Sequence, residues 1–256
     1  MSDGLSVRGL RVSYGGVHAL SGVDLRVPPG ELVGLIGPNG AGKTTFVDAV
    51  TGFVRYGGDV ELDGADLSGL SPHTRARRGL ARTWQSIELF DGLSVAENIA
   101  VAASPRSGWA TLRETFRGPV GLGGEIERTL ALLGLESRAD TKAGDLSHGE
   151  RKLVGVARAL AGRPRVICLD EPAAGLDSDE SVQLGRRLRA VVGAGVGMVL
   201  VDHDMALVLD VSDQVVVLDF GHVIACGPPS LVRNDPEVVA AYLGSTARAT
   251  RTEEAS

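Results

Sequence analysis

The nine residues Gly37-Pro-Asn-Gly-Ala-Gly-Lys-Thr-Thr45 constrain this chain more than any other stretch. They follow an aliphatic run, Glu31 to Ile36, and precede an apolar-periodic segment starting at Phe46, so the context is strand, glycine loop, helix. That context and the positions of Gly37, Gly42, Lys43 and Thr44 fit the phosphate-loop pattern Gly-x-x-x-x-Gly-Lys-[Ser/Thr]. Glycines suit a loop wrapped around an anion because side chains would obstruct the backbone, while successive N–H groups and a helix N-terminus point inward. Lys43 is expected to set a point charge against the outer phosphates and Thr44 to offer its hydroxyl to Mg²⁺. Asn39, Gly40, Ala41 and Thr45 complete the set of loop residues expected at the nucleotide.

At 256 residues, the chain can hold one large domain, or one domain with an inserted subdomain, around a substantial core. Its 26 Lys plus Arg against 32 Asp plus Glu leave a formal charge of -6, which gives no overall electrostatic reason to expect a nucleic-acid partner. Two cysteines occur, Cys168 and Cys226, and the first stands in an apolar run as a small buried hydrophobe, a usage that fits a reducing compartment. Residues 1 to 20 lack an apolar stretch of signal-peptide length, and no run of about 18 apolar residues is present. A role at a membrane would therefore require docking onto another chain. The small, polar tail 245–256 is expected to be disordered.

Between residues 5 and 36, alternating segments such as Val7 to Val12 and Val23 to Val27, punctuated by Gly15-Gly16 and Pro28-Pro29-Gly30, predict short half-buried antiparallel strands. Tyr14, just before the first turn, is read either as a packed strand aromatic or as a surface for a purine ring. A basic stretch from His73 to Arg82, with four arginines in ten residues, predicts a solvated helix face. Ser94 with Glu97 forms a capping box that predicts a helix start. Residues 104–124 are the least patterned, with a short helix expected around Trp109 to Phe116. Helical periodicity returns at Ile126 to Leu133 and Arg151 to Leu160. Strand and helix signals then alternate to Phe220, predicting a mainly parallel sheet covered on both faces and interrupted by a helical insertion over roughly 86–160.

The strand Val166 to Asp170 ends in Asp170-Glu171-Pro172, which places carboxylates at the sheet edge where the phosphate loop also opens. Asp170 is expected to hold Mg²⁺ through water, and Glu171 to polarise the water that attacks a γ-phosphate. Taken with Tyr14, Gln85, Leu146-Ser-His-Gly-Glu150, Gly175-Leu-Asp177 and His203, these motifs resemble in order and spacing the ATP-binding subunit of an ABC transporter, over residues 5–244. The resemblance implies an α/β, P-loop NTPase (RecA-like) core with an antiparallel β N-terminal subdomain and an inserted α-helical subdomain. It also implies an ATPase with ATP and Mg²⁺ as cofactors, Tyr14 as the adenine platform and Gln85 as a Mg²⁺ and water contact. His203, by itself an ordinary polar residue at a strand end, becomes the γ-phosphate contact that positions Glu171.

In that family the signature of one subunit completes the site of another, so Ser147, Gly149 and Asp177 are expected to act in trans across an ATPase dimer. His148 and Glu150 depart from the usual Leu-Ser-Gly-Gly-Gln. Gly79-Leu-Ala-Arg-Thr-Trp-Gln85, Leu93-Ser-Val-Ala-Glu-Asn98 and Asp235-Pro-Glu-Val-Val-Ala-Ala-Tyr-Leu-Gly244 are similar to importers of branched-chain or hydrophobic amino acids. The implied partners are permease subunits docking near Gln85 to Ala100, with Glu88, Leu89 and Phe90 in the groove, and indirectly a periplasmic or extracellular substrate-binding protein. The implied location is the cytoplasmic face of the cell membrane. Alternatives are an importer for urea or amides, and a soluble ABC ATPase of DNA repair or translation.

Overall fold

The apolar runs before the phosphate loop and before Glu171 form strands β3 (Leu32–Ile36) and β7 (Val166–Asp170), and every residue of both is buried. The computed structural model describes residues 3–83, 88–103 and 124–242. With β6 (Leu80–Arg82), β8 (Gly197–Val201), β9 (Gln214–Asp219) and β10 (His222–Gly227) these strands form a six-stranded sheet in the order β10-β9-β3-β8-β7-β6. All neighbours pair in parallel except β9 and β10. Alternation along each strand sends Leu32, Ile36, Ile167 and Leu169 into one hydrophobic cluster and Val33, Leu35, Cys168 and Val199 into the other. Burial on both faces is why these strands read as continuous apolar runs. Cys168 is fully buried, which pushes its thiol up to about 12, as expected of a small hydrophobe.

A second sheet is antiparallel and comes from the alternating N-terminal segments: β1 (Leu5–Tyr14), β2 (Val17–Val27), β4 (Gly57–Leu62) and β5 (Ala65–Asp66), in the order β2-β1-β4-β5. Its Leu5, Val7, Leu10 and Val60 share one core with Phe46, Val47 and Val50 of α1 (Lys43–Thr51), the helix that follows the phosphate loop. The opposite core gathers Ile99, Leu130, Val154, Leu188 and Val208 from α3 (Val95–Ala103), α4 (Gly124–Leu133), α5 (His148–Leu160), α6 (Ser178–Gly193) and α7 (Met205–Val211). Helix α3 starts as its capping box predicts, with Glu97 N–H donating to Ser94 Oγ at 3.2 Å and Ser94 N–H to Glu97 Oε2 at 2.7 Å. The short helix expected at 109–116, the residues 104–123 around it, and the tail after 244 lie outside the described residues. No helix among the described residues is long and apolar enough to cross a membrane.

The basic stretch corrects one expectation. Arg77 and Arg78 are exposed, but Arg75, on α2 (Pro72–Arg77), is 2% exposed. Its guanidinium donates to the carbonyls of Ala49 at 3.1 Å, Val50 at 2.6 Å and Leu70 at 3.1 Å, and to Tyr56 Oη at 3.1 Å. Helix α1 ends at Gly52 in a left-handed cap whose N–H reaches back to the Ala49 carbonyl at 3.1 Å, and Arg75 adds donors to the Ala49 and Val50 carbonyls of this last turn. Arg75 satisfies them with a cation at the negative end of the helix. Arg75→Leu leaves Ala49 O with Gly52 N–H but removes the Arg75 donor from the Val50 carbonyl, and is expected to lower stability by about 2 kcal/mol, read as a fall in the urea midpoint with an unchanged slope.

Candidate functional site

Parallel strands deliver their carboxyl ends together: Val201 lies in register with both Leu35 and Asp170, so the loops after β3, β7 and β8 are neighbours. After β3, Gly37 takes φ 148°, and a Cβ there would lie 2.1 Å from Leu218 O. Gly42 takes φ 105°, and its Cβ would lie 2.7 Å from Ala19 O. The loop therefore threads between β2 and β9 where only glycine fits. Asn39 and Gly40 are exposed on it, while Ala41 is buried. Lys43 and Thr44 open α1, and Thr45 follows within its first turn.

Lys43 Nζ donates to Gly37 O at 2.6 Å and Pro38 O at 3.0 Å, which closes the loop on itself. Burial pushes its ammonium below the ordinary value, and the charges of Glu171 and Asp170 oppose that shift. Tyr14 ends β1 opposite Val17 and is 49% exposed. From this hairpin, β2 carries Ala19 to the phosphate loop.

Asp170 is 5% exposed, and burial raises its carboxyl above the usual range against the pull of Arg82. Arg82 Nη2 donates to Asp170 Oδ2 at 3.1 Å, Arg82 Nη1 pairs with Asp48 of α1, and the guanidinium stands 5.7 Å from the Phe53 ring centroid. This buried cation, grouped by sequence with the solvated arginines, joins β6, α1 and β7. Its position at the end of a three-residue strand carries no periodic signal that could have marked it.

Glu171 adopts φ 50°, a left-handed conformation uncommon outside glycine, and its N–H donates to Val201 O at 2.7 Å. The strained turn aims the next peptides back toward β8. There Ala173 N–H donates to Asp202 Oδ2 at 2.9 Å, and Asp204 N–H to Asp202 Oδ1 at 3.0 Å. His203, between these acids, is mostly exposed, with Nδ1 3.4 Å from Asp202 Oδ1. The loops carrying Glu171 and His203 are thus braced by one buried carboxylate, which sequence reading missed.

The signature lies at a second place. Ser147 caps α5, accepting from Glu150 N–H at 3.2 Å, while Glu150 Oε2 accepts from Ser147 N–H at 2.9 Å and Oε1 from Arg138 Nε at 2.7 Å. A capping box needs an acceptor at this position, which Glu150 supplies. Asp177 caps α6 in the same manner with Glu180, and a Cβ on Gly149 would sit 3.0 Å from Glu180 Oε1. His148 Nε2 lies 3.3 Å from Ala174 O. Ser147, Gly149 and Asp177 therefore form one patch within the chain. Among the described residues, no hydrogen bond or ion pair joins that patch to Lys43 or Thr44. Gln85 lies outside the described residues.

The chemistry available is that of a phosphate cradle with a half-buried cation, a metal-suited acid and a second acid at the same sheet edge. Among the described residues, no three His, Cys, Asp or Glu cluster so as to hold a metal. The Thr44 hydroxyl and the Asp170 carboxylate are hard oxygen donors, too few for a closed cage and suited to a cation that shares its shell with phosphates and water.

Such a fold and loop define a nucleotide-binding cassette. Residues 20–174 match the family model of the ABC transporter, and residues 222–248 that of the branched-chain amino acid ATP-binding cassette transporter. The chain is 38% identical over 248 residues to the high-affinity branched-chain amino acid transport ATP-binding protein BraF of Pseudomonas aeruginosa, covering 94% of this chain and 97% of that protein. It is 36% identical to LivG of Escherichia coli, a protein of the same description, with the same coverage. It is also 35% identical to the lipopolysaccharide export system ATP-binding protein LptB of Escherichia coli, covering 95% and 98%. Among solved structures, an ATP-binding cassette of an ABC transporter in its ADP conformation superposes with a TM-score of 0.81 at 30% identity, covering 94% of this chain and 98% of that one. The chain belongs to the ABC transporter family, as an ATP-binding subunit homologous to those of branched-chain amino-acid transporters.

Removing Arg82 would leave two acids near α1 and β7 without their shared cation. Arg82→Leu is expected to cost about 3 kcal/mol, measured by urea unfolding, as for other broken buried ion pairs.

Proposed function

We propose that this chain powers uptake of branched-chain or other hydrophobic amino acids by binding and hydrolysing ATP at an interface between two ATPase subunits. The observation that carries the solute class is the match of residues 222–248 to the branched-chain family model. ATP hydrolysis coupled to transport is the activity of the family. Residues 5–244 are read as the ATPase unit, with about 86–160 as its helical insertion.

In this reading the loop amides, Asn39 to Thr45, and the Lys43 ammonium hold the phosphates, and Tyr14 stacks on adenine. Thr44, Asp170 and Gln85 would hold Mg²⁺, which would supply positive charge against the phosphates. Glu171 accepts a proton from the attacking water, and His203 contacts the γ-phosphate and keeps that water in line. A partner's Ser147, Gly149 and Asp177 close over the nucleotide. Their grouping in a patch of their own supports this division, since ATP then bridges two surfaces and favours the closed dimer. ABC ATP-binding subunits work as dimers with transmembrane permeases, which would hold this chain at the cytoplasmic face of the membrane; the substrate-binding protein acts only through the permease.

A cleft of about 720 Å³ opens beside the catalytic carboxylates, with Glu88, Leu89 and Phe90 on its wall. Phe90 is 49% exposed and meets the Arg158 guanidinium 5.5 Å from its ring centroid. A permease helix docking here would bury that apolar surface.

Two measurements test the reading. Glu171→Gln is expected to bind ATP, accumulate as a stable dimer and turn over more slowly by about a hundredfold or more; normal turnover removes Glu171 from its role. Phe90→Glu is expected to abolish amino-acid uptake in vesicles holding the whole transporter while leaving hydrolysis by the isolated subunit unchanged. Parallel loss of both would signal a folding defect and remove the docking role.

A further inference from the structure

The signature departs from its usual form at His148, and the ring that stands there reaches the turn that follows Glu171. His148 opens α5, directly after the cap Ser147. Its Nε2 lies 3.3 Å from Ala174 O, and since a carbonyl can only accept, Nε2 carries the proton and donates. The same nitrogen lies 3.2 Å from where a Cβ on Gly175 would stand, and Gly175 takes φ 79°. A side chain at 175 would therefore meet both a left-handed backbone and the imidazole. Ala174 faces two ways. Its carbonyl accepts from His148, and its N–H donates to Glu171 O at 3.3 Å. Beside it, Ala173 N–H is held by Asp202, and Leu176 N–H donates to Ala173 O at 3.0 Å. The stretch from Glu171 to Asp177 is thus a run of hydrogen-bonded turns and not a slack loop.

We propose that His148 is a positioning residue that ties the signature of a chain to Glu171 of the same chain. In the proposed dimer, Ser147 and Gly149, on either side of His148, engage the partner's ATP. A pull on the start of α5 is then carried through His148 and Ala174 to the peptide of Glu171, whose left-handed φ of 50° is held by the bonds around it. Closure over the partner's nucleotide is thereby felt at the chain's own catalytic turn. Glycine, the usual residue at this position, has no side chain with which to make the link. His148 is exposed, and a neutral hydrogen bond there adds little to stability, so its effect lies in the register of the two segments.

This inference rests on Glu171 as the proton acceptor and on the signature acting in trans, and the experiment separates it from both. Steady-state hydrolysis by the full chain is measured for His148→Gly, which restores the family's usual residue, and for His148→Gln, whose amide nitrogen can donate from a similar reach. The expected result is a kcat lowered about three- to tenfold in His148→Gly, with KM for ATP within about twofold, and about half or more of the native kcat in His148→Gln. An unchanged kcat in His148→Gly, an equal loss in His148→Gln, or a KM raised as much as kcat falls overturns the proposal. Mixed dimers then show which site the residue serves. In an excess of the Glu171→Gln chain, hydrolysis by a minor active chain comes from dimers with one working carboxylate. His148→Gly on the active chain is expected to slow that hydrolysis about three- to tenfold, and the same change on the Glu171→Gln chain to leave it within about twofold. The reverse pattern makes His148 a contact to the partner's nucleotide and overturns the proposal. Normal turnover in Glu171→Gln alone would instead overturn the assignment of the proton acceptor, and normal turnover in Ser147→Ala that of the signature.

Discussion

Burial of the parallel sheet on both faces is the constraint from which the remaining architecture follows. Strands β3, β7 and β8 offer no polar side chain to either core until their carboxyl ends. Polar and charged groups collect at that edge because the hydrophobic clusters leave them nowhere else. The phosphate loop, Asp170 with Glu171, and Asp202 with His203 then begin three adjacent loops, although 134 residues separate Ile36 from Asp170 along the chain.

Buried charges fasten this edge. Arg82 bridges α1 to β7 through Asp48 and Asp170, and Arg75 closes the far end of α1 by taking its last carbonyls. Helix α1 is thus held at its start by a glycine loop and at its end by an arginine, which fixes the N-terminal amides against which phosphate binds. Asp202 does comparable work on the other side, accepting N–H groups from the loops of both Glu171 and His203. Arg82 lies within the importer-like stretch Gly79 to Gln85, but nothing in its local pattern marks the bracing role that it shares with Arg75 and Asp202.

Two helix N-termini, those of α5 and α6, stand side by side with reciprocal capping boxes. Their proximity explains why a glycine stands at position 149, where a side chain would press on Glu180, and why an acid is tolerated at position 150, where it serves as the capping partner. In the proposed dimer, a chain that keeps its signature apart from its own phosphate loop would hold half of two sites.

By itself the sequence determined the strand, loop and helix around Lys43, the acid-terminated strand at Asp170, the capping box at Ser94 and the alternating segments of the antiparallel sheet. Each is encoded within a few residues by period, glycine placement or cap chemistry. Only tertiary structure decided which members of the arginine-rich stretch are solvated, because Arg75 and Arg82 differ from Arg77 and Arg78 in what lies opposite them and not in their local pattern. The same holds for Asp202 and Glu180. Each meets a partner far along the chain, Ala173 for Asp202 and Gly149 for Glu180, and a side chain's neighbours across a fold leave no period in its own segment.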